Sequence, residues 1–423
     1  MSGTGLARGR GRLLTNQSGL AALFFAIFAI FVIGLVVSFD NILAKGVVMA
    51  TFVGVLLAIV LGLRKVSFVL AFGAFFFAPM IGVRVAEAVT VGDAFLVAAV
   101  AVALLSARES KPLPRTGKNV ALVGGFMVAG GTVATLTISQ DATTSVAQMG
   151  QYAIAIVLSL GLVRLLKPSK GTVVGLGIAF GLGATVSCVV ALMDKVNPRP
   201  AGLALHSNHL AISAALAVGI WLAIMLATKS KLLSLLALVG IVVCVWGTVI
   251  GGSRAGVVAL VTVFMLTILG IGASKLTAFL ALACGGVGYA IQAGFIDISG
   301  QNNAIGRLLG GGSAEQADMG RSVKYEGVWD RINLSPFLGT GFADARDGHS
   351  LYLQMWDSAG VMGILAAAVL IMTALFGYLA ARRRNNRVSL VLWSGYLGYL
   401  AAAILSNQMW DRYLWLGRVS QIG

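Results

Sequence analysis

Apolar stretches of roughly 20 residues recur along this chain and are separated by mostly short polar connections. A helix of about that length crosses a hydrocarbon core of roughly 30 Å. Lipid offers no partner for backbone N–H and C=O groups, so a spanning segment must pair these groups within a helix or a closed barrel. A barrel would show short strands of alternating polarity instead. The pattern therefore predicts an all-α polytopic membrane protein.

The composition supports the same fold class. Of the 423 residues, 58% are hydrophobic and 11% are charged, which is about half the charged fraction of an average soluble domain. We predict one integral membrane domain over residues 1–423, with a basic cytoplasmic tail at 1–19, a long outer loop at 295–356 that carries short helices, and about 12–14 transmembrane helices. The predicted spans are 20–39, 47–63, 66–82, 90–106, 119–139, 148–166, 172–193, 210–227, 232–250, 255–273, 276–294, 358–380 and 388–405.

The distribution of charge decides what the net charge of +16 means. With the N-terminus inside, the predicted inner connections hold 19 of the 31 basic residues and one of the 15 acidic residues, which leaves the outer face slightly acidic. A bias of Lys and Arg toward one face is the signal that orients membrane proteins. The basic excess therefore predicts a multi-pass topology with a cytoplasmic N-terminus, and no nucleic-acid partner is expected.

Three predicted outer segments, 194–208, 251–256 and 295–356, are richer in polar residues than the other connections. In the second, Ser253 and Arg254 begin an apolar helix after two glycines. An Arg at a membrane boundary is costly unless it faces a partner or a cavity, and free N–H groups at a helix start favour anions. The alternative is an Arg that reaches to lipid headgroups.

In the long loop, Arg321, Tyr325, Val328 and Ile332 recur at helical spacing. They predict one stripe of a surface helix that must end before Pro336. A guanidinium on such a helix could hold a phosphate through two parallel hydrogen bonds. The alternative is an amphipathic helix that rests on headgroups with Arg321 in solvent. The glycines at 339 and 341 predict a turn with backbone angles that other residues avoid.

His349 precedes the last long apolar helix but one. Its ordinary pKa near 6.5 suits a general base, although a hydrogen-bonded His at a helix start is the alternative. His206 and His209 are too few for a metal site, so we interpret them as structural or substrate-contacting residues. No metal or other cofactor is expected. Cys188, Cys244 and Cys284 lie in apolar stretches and are predicted to be packing residues.

Together these segments resemble the O-antigen ligase-like superfamily, bacterial membrane enzymes that transfer glycans from a polyprenyl diphosphate carrier. The matching stretches are Ser253-Arg254-Ala255-Gly256, Gly320-Arg321, Pro336-x-x-Gly339-x-Gly341-Phe342, His349-Ser350-x-x-Leu353 with Gly360 and Gly363, and Asn208-His209-Leu210-Ala211. Ser350 departs from the family pattern, because that position often holds Asn.

The resemblance implies a location in the bacterial cytoplasmic membrane and an outer loop over a cavity that is open to lipid. It also implies metal-independent, inverting transfer of a glycan from an undecaprenyl diphosphate donor to a glycan, lipid or protein acceptor, as a ligase or a polymerase. In this interpretation His349 is the general base, and Arg254 and Arg321 stabilise the leaving diphosphate. Ser253, Tyr325, Asn208 and His209 would contact the substrate.

Two other classes remain as alternatives. A secondary transporter of an amphiphilic or anionic substrate would also be polytopic, but transporters usually place discontinuous helices and ionisable groups near the middle of the bilayer. A peptidoglycan-type polymerase of the shape and elongation group would be close in chemistry, but we would expect its loop to use a carboxylate in place of a His.

Overall fold

A computed structural model describes residues 62–86, 89–106, 113, 115–166, 168–271, 304, 313–343, 349–406 and 409. The chain divides into two compact units, residues 1–69 and 70–423. Apart from the first turns of helix α1, all of the elements below belong to the second unit.

The described residues form eleven helices and one short antiparallel hairpin. The helices are α1 (Leu63–Phe77), α2 (Val91–Ser106), α3 (Arg115–Thr137), α4 (Ala142–Leu166), α5 (Lys170–Met193), α6 (Ser207–Ala227), α7 (Lys231–Ile250), α8 (Arg254–Ile271), α9 (Ser313–Leu334), α10 (Leu351–Arg383) and α11 (Arg387–Ala402). The hairpin consists of β1 (Arg84–Ala86) and β2 (Val89–Thr90), with Arg84 opposite Thr90.

Seven of the helices in the described ranges, α3 to α8 and α10, are long and apolar enough to cross a membrane. The predicted multi-pass membrane protein is thereby confirmed. Ten of the thirteen predicted spans coincide with a helix, and their ends differ by at most seven residues, the largest difference being at the start of α10. The predicted spans 20–39 and 276–294 lie outside the described residues, as do all but the last two residues of the predicted span 47–63 and most of the predicted long loop before residue 313.

Helix α6 lies at the centre of its bundle, where it packs against α5, α7, α8 and α11. Its most apolar window is 83% buried, far more than that of any other spanning helix. Close approach depends on glycine at the contact with α11: a side chain at Gly219 would meet the Gly395 Cα at 3.0 Å. Lipid tails are as apolar as leucine, so no hydrophobic force joins helices in a membrane and van der Waals packing must hold them together. Small residues permit this packing because they let the helix backbones approach closely.

A second group of contacts joins α10 to α3, α11 and α9, and α4 packs against α2 and α3. Helices α3 and α10 run in opposite directions, since the Asn119 amide donates to Thr373 Oγ1 at 2.9 Å near one end while Gly130 approaches the Ala359 carbonyl near the other. The bundle therefore has two distinct ends. We call the one where α6, α8 and α10 begin the loop end, and the other the arginine end.

Helix α10 is broken near the loop end. Gly360 has φ 57° and ψ −136°, which only glycine tolerates, so the helix stops after Ala359 and restarts at Val361. The segment after α9, residues 335–343, fills this break: the Val361 amide donates to the Phe337 carbonyl at 3.0 Å, and the Thr340 amide donates to the Asp357 carbonyl at 2.6 Å. We call residues 335–343 the inserted segment. The predicted glycine turn is confirmed, with φ of 80° at Gly339 and 91° at Gly341.

Candidate functional site

The sequence-predicted site residues all lie at the loop end of the bundle. Gly256 of α8 packs against Ala211 of α6, and a side chain at Gly398 of α11 would meet the Ala259 carbonyl of α8 at 2.7 Å. The Leu351 amide in turn donates to the Ala403 carbonyl at 2.9 Å, which joins the end of α11 to the start of α10. These contacts bring the starts of α6, α8 and α10 to the same end of the molecule.

Helix α9 brings Tyr325 to His349, and Arg321 lies one helical turn before Tyr325. The predicted stripe is confirmed, because Val328 and Ile332 are buried, at 0% and 2% exposure, while Trp329 is 43% exposed. One end of the stripe reaches the start of α10: the Tyr325 hydroxyl lies 3.5 Å from the His349 carbonyl oxygen, at the outer limit of a hydrogen bond. Burial raises the pKa of the Tyr325 phenol, and the positive charge of Arg321 opposes that shift. Tyr325 is therefore protonated at neutral pH and can act as a donor.

Ser253 and Arg254 form the start of α8, as predicted. Ser253 is completely buried, and its Oγ accepts from the Gly256 amide at 3.2 Å, which satisfies one of the free donors of the helix start. Gly252 has φ 64°, the left-handed conformation that makes this turn possible. Arg254 is partly exposed, and a side chain at Gly251 would meet the Ser207 carbonyl at 3.4 Å. The turn therefore lies beside the start of α6, where Asn208 and His209 are.

A basic cluster surrounds the start of α6. The Arg199 Nη2 donates to Asn208 Oδ1 at 3.3 Å, and the rings of His206 and His209 are 5.9 Å apart. Burial lowers the pKa of His206, and the charges of His209, Arg199 and Arg84 lower it further. The imidazole is thus mostly neutral at pH 7.

Two members of this cluster, Arg84 and Arg199, were not among the predicted site residues. A signal for both was available, because they are basic residues on the face that the topology predicts to be poor in positive charge. Arg199 is also flanked in the sequence by prolines at 198 and 200, which restrict the local backbone.

An ion pair at the break in α10 was also not predicted. Asp357 is 1% exposed, and its Oδ2 accepts from Arg331 Nε at 3.0 Å and Nη2 at 2.8 Å. Its Oδ1 accepts from the Thr340 hydroxyl at 2.7 Å. Helix α9, the inserted segment and α10 are therefore held together at one carboxylate. A lone Asp near the start of an apolar span was the available signal.

The inserted segment is also anchored on α3 and α4. Ser145 Oγ accepts from the Phe342 amide at 2.8 Å and lies 2.6 Å from Thr135 Oγ1. The Phe342 ring is fully buried and packs against Tyr152 with ring centroids 5.7 Å apart. Because both sides of the segment are fixed by protein, α9 has a defined position relative to His349.

The described cysteines, Cys188 and Cys244, are buried free thiols, as predicted for packing residues. Cys284 lies outside the described residues.

No model of a known protein family matches the chain, and a search of curated proteins gives no match.

Proposed function

We propose that the protein transfers a glycan from a polyprenyl diphosphate carrier to an acceptor hydroxyl, with the reaction centre at the loop end of the bundle. The observation that carries the proposal is the contact between Tyr325 of α9 and the backbone of His349. This contact joins α9, the helix that bears Arg321, to the backbone of His349 at the same bundle end as Arg254. Guanidinium and imidazole groups are the parts that such a reaction requires.

Charge at the loop end suits a diphosphate. Arg254 and Arg321 lie on different helices there, and Arg84 and Arg199 add two more guanidinium groups around the start of α6. A leaving diphosphate gains negative charge as its bond to the sugar breaks, so fixed cations stabilise the transition state more than the ground state. These groups would take the part of the divalent ion that many sugar-nucleotide enzymes use.

In the proposed reaction, His349 removes the proton from the acceptor hydroxyl as the acceptor oxygen bonds to the anomeric carbon. The bond from that carbon to the diphosphate oxygen breaks, and the electron pair leaves with the polyprenyl diphosphate. Attack on the face opposite the leaving group inverts the anomeric centre. The polyprenyl chain would stay in the bilayer, so the protein need orient only the headgroup and the sugar.

The break in α10 helps to distinguish the transferase from the two alternative functions, a secondary transporter and a peptidoglycan-type polymerase. Discontinuous helices form ion and substrate sites in secondary transporters. In this protein, however, the break in α10 is filled by the inserted segment, and the carboxylate beside it is bound by Arg331 and Thr340. That carboxylate is also a poor candidate for the acidic residue of a peptidoglycan-type polymerase. Both observations favour the transferase.

The test is glycan transfer by variants of the full chain in membranes. His349→Ala should lower the rate by about 10²–10⁴-fold, the usual contribution of a general base, without loss of protein from the membrane. His206→Ala is the comparison: this histidine lies at the same end and could contact the substrate, but it does not take the proton, so a much smaller loss is expected. Full activity of His349→Ala would remove the proposed base.

Arg321 tests how the diphosphate is held. Arg321→Lys should be nearly as damaging as Arg321→Ala, because an ammonium cannot form two parallel bonds to one phosphate group. Recovery of the full rate with Lys would instead indicate a simple charge effect.

Transfer should persist in EDTA, because the proposed reaction uses no metal. Deletion of the gene should leave one surface glycan unattached if the protein is a ligase, or present only as single repeat units if it is a polymerase.

A further inference from the structure

At the arginine end, far from the site described above, α3, α10 and the start of α11 enclose a cavity of about 1,020 Å³. Its size is at the upper end of small-molecule pockets, which span about 300–1,000 Å³. One rim is cationic, with guanidinium groups from Arg115, Arg383 and Arg384, and the described lining includes no Asp or Glu. The cavity therefore favours an occupant with negative charge at one end.

The rest of the wall is apolar and faces outward. Leu122, Met372 and Phe376 line the cavity and are 46%, 44% and 59% exposed. They belong to helices that are long and apolar enough to span a membrane, so their exposed faces contact lipid tails. The occupant can therefore enter sideways from the bilayer, and it must be apolar where it touches this part of the wall.

The distance between the two parts of the wall fits an amphiphile. Leu122 is seven residues after Arg115 on α3, and Met372 is eleven residues before Arg383 on α10. At 1.5 Å per residue these separations are about 10 Å and 16 Å along the helix axes. Between the two parts of the wall, the Asn119 amide donates to Thr373 Oγ1 at 2.9 Å, so these two polar side chains are paired with each other.

We propose that this cavity binds one anionic phospholipid, with its phosphate at the three arginines and its acyl chains along Leu122, Met372 and Phe376. A simpler explanation for basic residues here is that they complement the C-terminal dipole of α10 and interact with headgroups in general. Attraction to headgroups applies equally to Arg382 and Arg387, which are exposed at the same end but do not line the cavity. A specific lipid site therefore predicts that Arg383 and Arg384 matter more for lipid binding than Arg382 and Arg387, whereas general attraction to headgroups predicts that the two pairs matter equally.

The experiment is native mass spectrometry of the full chain in detergent, titrated with phosphatidylglycerol. We expect one retained lipid per chain in the wild type. Arg383→Gln combined with Arg384→Gln should weaken binding about 30-fold, the factor that two basic residues contribute at an anionic surface. The control, Arg382→Gln with Arg387→Gln, removes the same charge from residues that do not line the cavity, so we expect a much smaller loss of affinity. Val369→Trp should also weaken binding, because it fills the apolar part while every arginine remains.

Three results would overturn the proposal. Equal losses in the two double variants would mean general attraction of charge, and equal affinity for phosphatidylcholine would mean an apolar groove without headgroup recognition. Displacement of the lipid by millimolar inorganic phosphate would assign the arginines to a small anion. Melting temperatures of the lipid-free variants, compared with the wild type, check that each one is folded.

Discussion

At the scale of single residues, the buried carboxylate of Asp357 is the most demanding group at the loop end. A charge removed from water is tolerated only when it is paired and its remaining lone pairs accept hydrogen bonds. Both conditions are met, since Oδ2 accepts two bonds from Arg331 and Oδ1 accepts one from Thr340. The same carboxylate therefore fixes the distance between α9 and α10.

Asp357→Ala should destabilise the protein by about 3 kcal/mol, at the low end for a broken buried ion pair, because Arg331 is 23% exposed and can recover some hydration. The matched control is Asp330→Ala, which removes an exposed carboxylate from the position just before Arg331 on α9. Reversible unfolding in mixed micelles with increasing denaturing detergent measures both. Equal stability of the two variants would mean that the ion pair does not hold α9 in place.

Sequence patterns predicted some of these residues and not others for a physical reason. The stripe through Arg321 and Val328 follows from the helical period, which is a local property of the chain. The pairing of Arg331 with Asp357 joins residues 26 positions apart on separate helices, and no local pattern encodes it. Likewise, hydropathy predicts that Arg84 lies outside a span, but it does not encode that Arg84 lies near His206 in the folded protein.

At the scale of elements, the break in α10 determines where the inserted segment binds. The first part of the helix, up to Ala359, carries the Asp357 carbonyl that accepts from Thr340, while the second part begins with the Val361 amide. An uninterrupted helix would use both groups internally, and the inserted segment would lose two backbone partners.

Gly360→Ala is therefore expected to cost at least about 3 kcal/mol or to prevent folding, because the backbone angles there suit only glycine. The new Cβ would also clash with the Phe337 carbonyl oxygen, a backbone atom that cannot easily move. Gly125→Ala is the control: it adds the same methyl group to α3 at a position with no atom within 4 Å, so no loss of stability is expected. Thermal unfolding in detergent compares the two, and a tolerated Gly360→Ala would mean that the break is not required.

Hydropathy located the spanning helices because burial in lipid demands about 20 apolar residues whatever the neighbours are. It placed the start of α10 at residue 358, seven residues late, because the polar residues before Gly360 lowered the apolar signal. Those residues, Gln354 and Asp357, are buried against protein and not lipid. Hydropathy cannot distinguish these two environments.

At the scale of the molecule, the two bundle ends differ in net charge, because among the residues that the structure describes, acidic ones accompany the basic ones only at the loop end. Every Asp and Glu in the described ranges lies at the loop end, from Asp93 at the start of α2 to Asp357 in α10. The arginine end holds Arg115, Lys118, Arg164, Lys229 and Lys231 together with the four arginines between residues 382 and 387. The restarted part of α10 covers about 34 Å at 1.5 Å per residue, enough to place these ends on opposite sides of a bilayer.

Because Lys and Arg are retained on the cytoplasmic side, we expect the loop end to face outward. With Cys188, Cys244 and Cys284 replaced by Ala, a cysteine at the exposed position Ser322 of α9 should react with a membrane-impermeant maleimide in intact cells. A cysteine at the exposed position Asn385, after α10, should react only once the membrane is permeabilised. The opposite labelling would place Arg321 and His349 on the cytoplasmic side and remove the proposed outer-face transferase. The lipid cavity would survive that result with its leaflet exchanged, so the two proposals fail independently.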